Sequence, residues 1–117
     1  RTKMNKKDSN NKYTLTKLIP LSIRKLLNED IVFRYEILMQ SPDVEKEMNL
    51  LKPMYDTGNI PKKLTKDEVN AIFSVLLMTY EGYVDGTACF PINVLKKRAI
   101  IYNKTIESLC EQGFHCI

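Results

Sequence analysis

The sequence has no tryptophan and a single histidine, and nowhere does it run to the ~18 consecutive apolar residues that a membrane-spanning helix needs. With only His115, three residues from the end, the usual partner for acid–base or nucleophilic chemistry is nearly missing. Four glycines occur, Gly58, Gly82, Gly86 and Gly113, each placed as a turn or helix-end residue, and none builds a phosphate-cradling loop. No nucleophile elbow, zinc-protease helix or calcium loop is present. The carboxylate pairs Asp67–Glu68 and Glu45–Glu47 fall in first helical turns, where acidic residues complement the positive helix end. The expectation is a non-enzymatic chain without cofactor.

Cysteine is sparse and odd in number: Cys89, Cys110 and Cys116. A disulfide framework shows an even count at dense spacing, so the expected setting is reducing and intracellular, cytoplasmic or nuclear. Cys110, His115 and Cys116, with Cys89, are zinc-ligand types, but their spacing is unlike a Cys-x2-4-Cys knuckle and Cys110 belongs on a helix. They read as ordinary core and surface cysteines, with no metal. Asn103-Lys104-Thr105 matches a glycosylation acceptor, which carries no meaning in an intracellular setting. Arg1-Thr2-Lys3-Met4 has no apolar leader, and the leading arginine suggests a piece of a longer protein.

Charge, by contrast, is present and unevenly spread. Residues 1–12 hold Arg1, Lys3, Lys6, Lys7 and Lys12 against Asp8, a net of +4, which is the whole formal charge of the chain. The remaining 105 residues carry thirteen basic and thirteen acidic side chains. The first segment is also rich in Asn and Ser and too polar to bury itself, so a flexible basic tail is expected over 1–12 and one helical domain over 13–117.

The domain reads as an all-α bundle of about five helices. Leu21 to Asn28 forms a short helix opened near Pro20, and Asn28 or Asp30 caps a second over Ile31–Gln40, expected to be central. Ser41-Pro42-Asp43 starts a third, with Val44, Met48 and Leu51 on one face and Pro53 as its stop. Tyr55 to Lys63 reads as a loop. Thr65-Lys66-Asp67-Glu68 is a capping box with Leu64 and Val69 placed as a staple, predicting a helix over 66–81 that ends at Gly82. Asp85-Gly86-Thr87 is a turn and Ala88–Phe90 an extended stretch. After Pro91, Ile92, Leu95, Ala99, Tyr102, Ile106 and Leu109 form one unbroken stripe closed by Gly113 and Phe114 in a Schellman motif.

The chemistry that remains is basic. Lys96, Lys97 and Arg98, with Lys104 nearby, cluster on the last helix, and long cationic side chains on one surface are what phosphates need. The same charges, with Glu107 and Glu111 further along, also fit a plain solvated face.

Residues 64–117 resemble the winged helix-turn-helix domains of plasmid and phage replication initiators. In that resemblance Val69–Tyr80 is the first helix and Gly86–Pro91 the strand and lead-in. Leu95 and Ala99 sit on the second helix, and Tyr102–Gln112 is the recognition helix, followed by the Glu111-Gln112-Gly113-Phe114 exit toward a wing. The resemblance implies DNA binding, with Asn103 and Thr105 as base readers beside the phosphate contacts Lys96, Lys97, Arg98 and Lys104. The uninterrupted stripe from Ile92 to Leu109 predicts a single helix instead. Two functions stay open: a module for DNA or RNA, or a protein-interaction module with an apolar groove.

Overall fold

The computed structural model describes residues 13–41, 43–85 and 92–116. Among them are five helices and one two-stranded ribbon, in the order β1 (Tyr13–Thr14), α1 (Leu15–Leu18), α2 (Leu21–Leu38), α3 (Glu45–Thr57), β2 (Lys63–Leu64), α4 (Lys66–Asp85) and α5 (Ile92–Glu111). This is an all-α bundle. The tail over 1–12, Pro42 and the stretch 86–91, with its expected turn, strand, Cys89 and Pro91, lie outside the described residues.

The capping box behaves as the sequence predicts. The Thr65 N–H donates to Glu68 Oε1 at 2.8 Å and the Glu68 N–H donates to Thr65 Oγ1 at 3.1 Å. Each satisfies an amide that the first turn of α4 would otherwise leave without an acceptor. Leu64 and Val69 are both fully buried. The helix then runs through Gly82 to Asp85 rather than ending at the glycine. A glycine inside a helix costs only about 1 kcal/mol relative to alanine, too little to end one by itself.

α4 is the central element. Every residue from Val69 to Leu76 is buried, including the polar Asn70 and Ser74. Ser74 Oγ donates to the Asn70 carbonyl at 3.2 Å, and Asn70 Oδ1 accepts the backbone N–H of His115 at 3.1 Å. Helix α5 packs on one side of α4, while α2 and α3 pack on it and on each other.

The segment expected to be two helices, 21–28 and 31–40, is one: α2. Ile23, Leu27, Ile31, Tyr35 and Leu38 make a continuous buried stripe through the expected break. Asp30 does not cap a helix. It is buried, and its carboxylate accepts the Tyr102 hydroxyl of α5 at 2.5 Å. Nor is this stretch central, since Phe33 and Ile37 remain exposed.

Helix α3 departs from expectation at both ends. It begins at Glu45 behind Val44, which supplies no side-chain cap. It also continues past Pro53 to Thr57, so the expected loop from Tyr55 begins only at Gly58. A proline inside a helix costs ~3 kcal/mol. Here the turn beyond it places Met54 in the core and stacks Tyr55 on Tyr35, with ring centroids 4.3 Å apart. Gly58, at φ +73°, closes the helix with its N–H on the Met54 carbonyl at 2.8 Å.

The ribbon and α1 close one end of the bundle. Tyr13 pairs with Leu64 and Thr14 with Lys63 in antiparallel register, and the Leu15 N–H donates to the Lys62 carbonyl at 2.9 Å. Leu15, Leu18 and Ile19 are buried and set α1 against α5. The expected Schellman motif is formed. The Phe114 N–H reaches the Leu109 carbonyl at 3.0 Å and the Gly113 N–H the Cys110 carbonyl at 3.1 Å, with Gly113 at φ +92°. Phe114 meets Tyr13 edge to face at 5.0 Å.

Candidate functional site

From Ile92 to Glu111 the chain is one uninterrupted helix. The division into a second and a recognition helix that the winged-helix resemblance implies is not adopted in this segment. A helix with one apolar stripe along its full length buries that stripe best without a turn.

The six basic and polar positions read from the sequence are separated by this geometry. Lys97 and Lys104 are exposed, seven residues apart and so nearly in line, about 10 Å along the axis. Asn103 is half-buried. Thr105 is only 5% exposed and lies on the packed side of α5, because it shares the stripe of Tyr102, Ile106 and Leu109. The resemblance makes this position a base reader. The side chains of Lys96 and Arg98 lie outside the described residues.

Thr105 instead borders a cleft. Where α1 and its link to α2 cross α5, Thr16, Lys17, Leu18, Ile19 and Pro20 face Lys104, Thr105 and Ser108 across a space of about 390 Å³. That lies at the lower end of the range for small-ligand sites. The α1 side brings Thr16 and Lys17 together with Leu18, Ile19 and Pro20, and the α5 side is polar throughout, so the lining holds two ammonium groups and three hydroxyls and no carboxylate.

These groups are available for a ligand. Among the described residues neither Lys17 nor Lys104 forms an ion pair, the pairs being Arg34–Glu47 and Lys52–Asp56. The Thr105 hydroxyl, although buried, has no hydrogen-bond partner among the described residues. Ser108 Oγ accepts from Gln112 Nε2 at 3.1 Å and keeps its own proton to donate. Glu107 and Glu111 are exposed on α5, but neither pairs with Lys104. Two ammonium groups and three hydroxyls with no carboxylate form a set that can receive an anion.

Lys17 and Thr16 escape the sequence reading, since α1 is four residues long and only its docking on α5 brings them to Lys104. Nearby, Arg24 donates through Nε and Nη2 to the Ile19 carbonyl at 3.3 and 3.1 Å, which fixes the link between α1 and α2. The other polar cluster, Cys110, His115 and Cys116, gathers no metal set among the described residues. Both thiols are free and exposed, and His115 Nδ1 lies 2.9 Å from the Cys116 carbonyl.

No protein-family model, curated protein or solved structure matches this chain. None of the helices among the described residues is long and apolar enough to cross a membrane.

Proposed function

We propose that this chain is a non-catalytic, intracellular nucleic-acid-binding module that holds backbone phosphates at the cleft between α1 and α5. The observation that carries the reading is the pair Lys17 and Lys104, without counter-ions among the described residues, flanking the unpartnered hydroxyl of Thr105. Two further features support it. Lys97 extends the positive line two turns along α5. The +4 segment over 1–12 precedes Tyr13 in the sequence, close to Thr16 and Lys17 along the chain. The free exposed thiols of Cys110 and Cys116 suit a reducing compartment.

Binding of this kind is driven by counter-ion release and falls steeply with salt. Fluorescence anisotropy with short DNA and RNA, single- and double-stranded, tests it. Affinity is expected to drop with a log–log salt slope of about −0.7 to −0.9 per phosphate contacted, and Lys17→Glu with Lys104→Glu to weaken it by more than about tenfold. Absence of association with any of these at ~50 mM salt, where phosphate contacts are strong, overturns the reading.

A second reading, docking of a protein partner on an apolar surface, draws on Phe33 and Ile37, which lie one turn apart on α2 and are about 40% exposed.

A further inference from the structure

The folded body is neutral as a whole, but its charge is sorted. Residues 13–20 and 60–66 carry Lys17, Lys62, Lys63 and Lys66 and no carboxylate, whereas the rest of 13–117 holds nine basic and thirteen acidic side chains. The fold joins these two short segments, because β1 and α1 belong to the first and β2 to the second. The nearest carboxylates in sequence, Asp67 and Glu68, lie in the first turn of α4, where they complement the helix end, and Glu68 accepts the Thr65 N–H. Among the described residues none of the four lysines forms an ion pair, with Glu107 and Glu111 of α5 or with any other carboxylate.

The ribbon sets these lysines beside the cleft. Lys63 and Thr14 are register partners, and Lys63 Nζ donates to Thr14 Oγ1 at 3.0 Å. Cross-strand partners share a face and successive residues alternate, so this pair lies opposite the fully buried Leu64 and its partner Tyr13. The bond steadies the Lys63 ammonium and leaves its other N–H groups to donate. Lys62 is exposed, and its carbonyl accepts the Leu15 N–H at 2.9 Å. Leu15 immediately precedes Thr16, and Thr14 stands two residues before it, at most ~7 Å along the chain. The backbone of Lys62 and Lys63 is thus bonded to the chain that leads straight into Thr16 and Lys17 on the α1 side of the cleft.

We infer that the phosphate-binding surface of the cleft continues over the ribbon, where Lys62 and Lys63 take further phosphates of the same strand. The backbone of that strand runs from Lys104 across Lys17 to Lys63. The ligand is therefore a polymer of several nucleotides and not a single nucleotide. One phosphate held by Lys17 and Lys104 makes no use of charges on β2, whereas phosphates recurring every ~3.4 Å along a duplex strand meet both places. This inference rests on the nucleic-acid reading above and adds to it two residues outside the cleft.

Fluorescence anisotropy of a short oligothymidylate against the full chain, across a series of salt concentrations, compares two double variants of equal charge. Lys62→Gln with Lys63→Gln removes the ribbon lysines and keeps the backbone bond between Leu15 and Lys62. Lys25→Gln with Lys46→Gln removes two exposed lysines on α2 and α3. The ribbon variant is expected to flatten the log–log salt slope by about 1.4 and to weaken binding more than about tenfold at low salt, while the second variant changes neither. Lys62→Gln alone, which leaves the bond from Lys63 to Thr14 in place, is expected to flatten the slope by ~0.7. Circular dichroism checks that each variant is folded. An unchanged slope in the ribbon variant, or equal changes in the two double variants, overturns the inference while leaving the nucleic-acid reading standing. No binding by the unaltered chain overturns both.

Discussion

In residues 63–116 the helix ends that local side-chain chemistry marks out most clearly are formed, whereas in residues 13–57 they are not. Thr65 and Glu68 cap α4 reciprocally, and Gly113 with Phe114 closes α5. In the other half, Asp30 leaves the backbone for a bond to Tyr102, Val44 stands where a capping side chain would be expected, and Pro53 sits inside a helix. The difference is one of range. A capping box or a Schellman turn is satisfied within six residues, so it forms wherever the sequence supplies it. That α2 and α3 run on past the breaks their sequence suggests goes with groups far away in the chain: Asp30 with Tyr102, Arg34 with Glu47, Tyr35 with Tyr55.

The strongest way to break this contrast is to remove the long-range partners. Tyr102 is fully buried, so Tyr102→Ala should cost about 4 kcal/mol in denaturant unfolding, through the lost ring and the cavity left behind. Tyr102→Phe, which removes only the hydroxyl, should cost about 2 kcal/mol because a buried carboxylate loses a donor. A neutral Tyr102→Phe variant would show that the bond to Asp30 does not tie α2 to α5.

Next comes the bidentate pair. Arg34 Nε and Nη2 donate to the two oxygens of Glu47, each at 3.1 Å, with side chains 18% and 10% exposed. Arg34→Ala should cost about 3 kcal/mol, most of it from leaving Glu47 charged and poorly solvated. Combining Arg34→Met with Glu47→Leu should recover a large part of that loss in the same unfolding experiment, since an apolar pair carries no desolvation cost. A double variant no more stable than the single one would show that the pair fixes α2 on α3 by more than satisfying Glu47.

Smaller effects belong to the local half. Thr65→Ala should cost about 1 kcal/mol, the usual loss of an N-cap hydroxyl. At Gly113 an added Cβ meets nothing within 4 Å, so Gly113→Ala tests conformation alone and should cost about 1 kcal/mol for a left-handed residue. Thermal melts that find either change as damaging as Arg34→Ala would erase the distinction between the two halves.

The smallest effect is expected at Lys52. Its ammonium lies 3.2 Å from Asp56 on the open face of α3, and that hydrogen bond, together with the carboxylate's charge, raises its pKa above the ordinary lysine value. A raised lysine contributes stability that is complete below the ordinary value and is lost as pH climbs through the raised one. With the pair exposed to solvent, Lys52→Met should leave the melting temperature at neutral pH unchanged within error. A clear drop there would place this surface pair among the contacts that hold α3.

Much of the fold could be read without coordinates, and the reason is the same in each case. Helical class, the start of α4, the close of α5 and the continuity of α5 all rest on spacings of three to five residues, which local hydrogen bonds and one apolar stripe enforce. The candidate site was legible only in part. Lys104 stood out as a basic residue on the last helix. Thr105 was named as a base reader, without the burial that packing against the bundle gives it, and Lys17 was missed, because neither its type nor its neighbours distinguish it from any surface lysine.

By itself, then, the sequence determined the helical class of the chain and where two of its helices cap, because those choices are made among near neighbours. It also set a neutral body behind a +4 segment. Tertiary structure alone decided that α2 runs unbroken through Asp30 and that α3 survives Pro53. It alone set Lys17 across a cleft from Lys104. Each of these depends on burial and hydrogen bonding between residues distant in the chain, whose free energy exists only once the helices have packed.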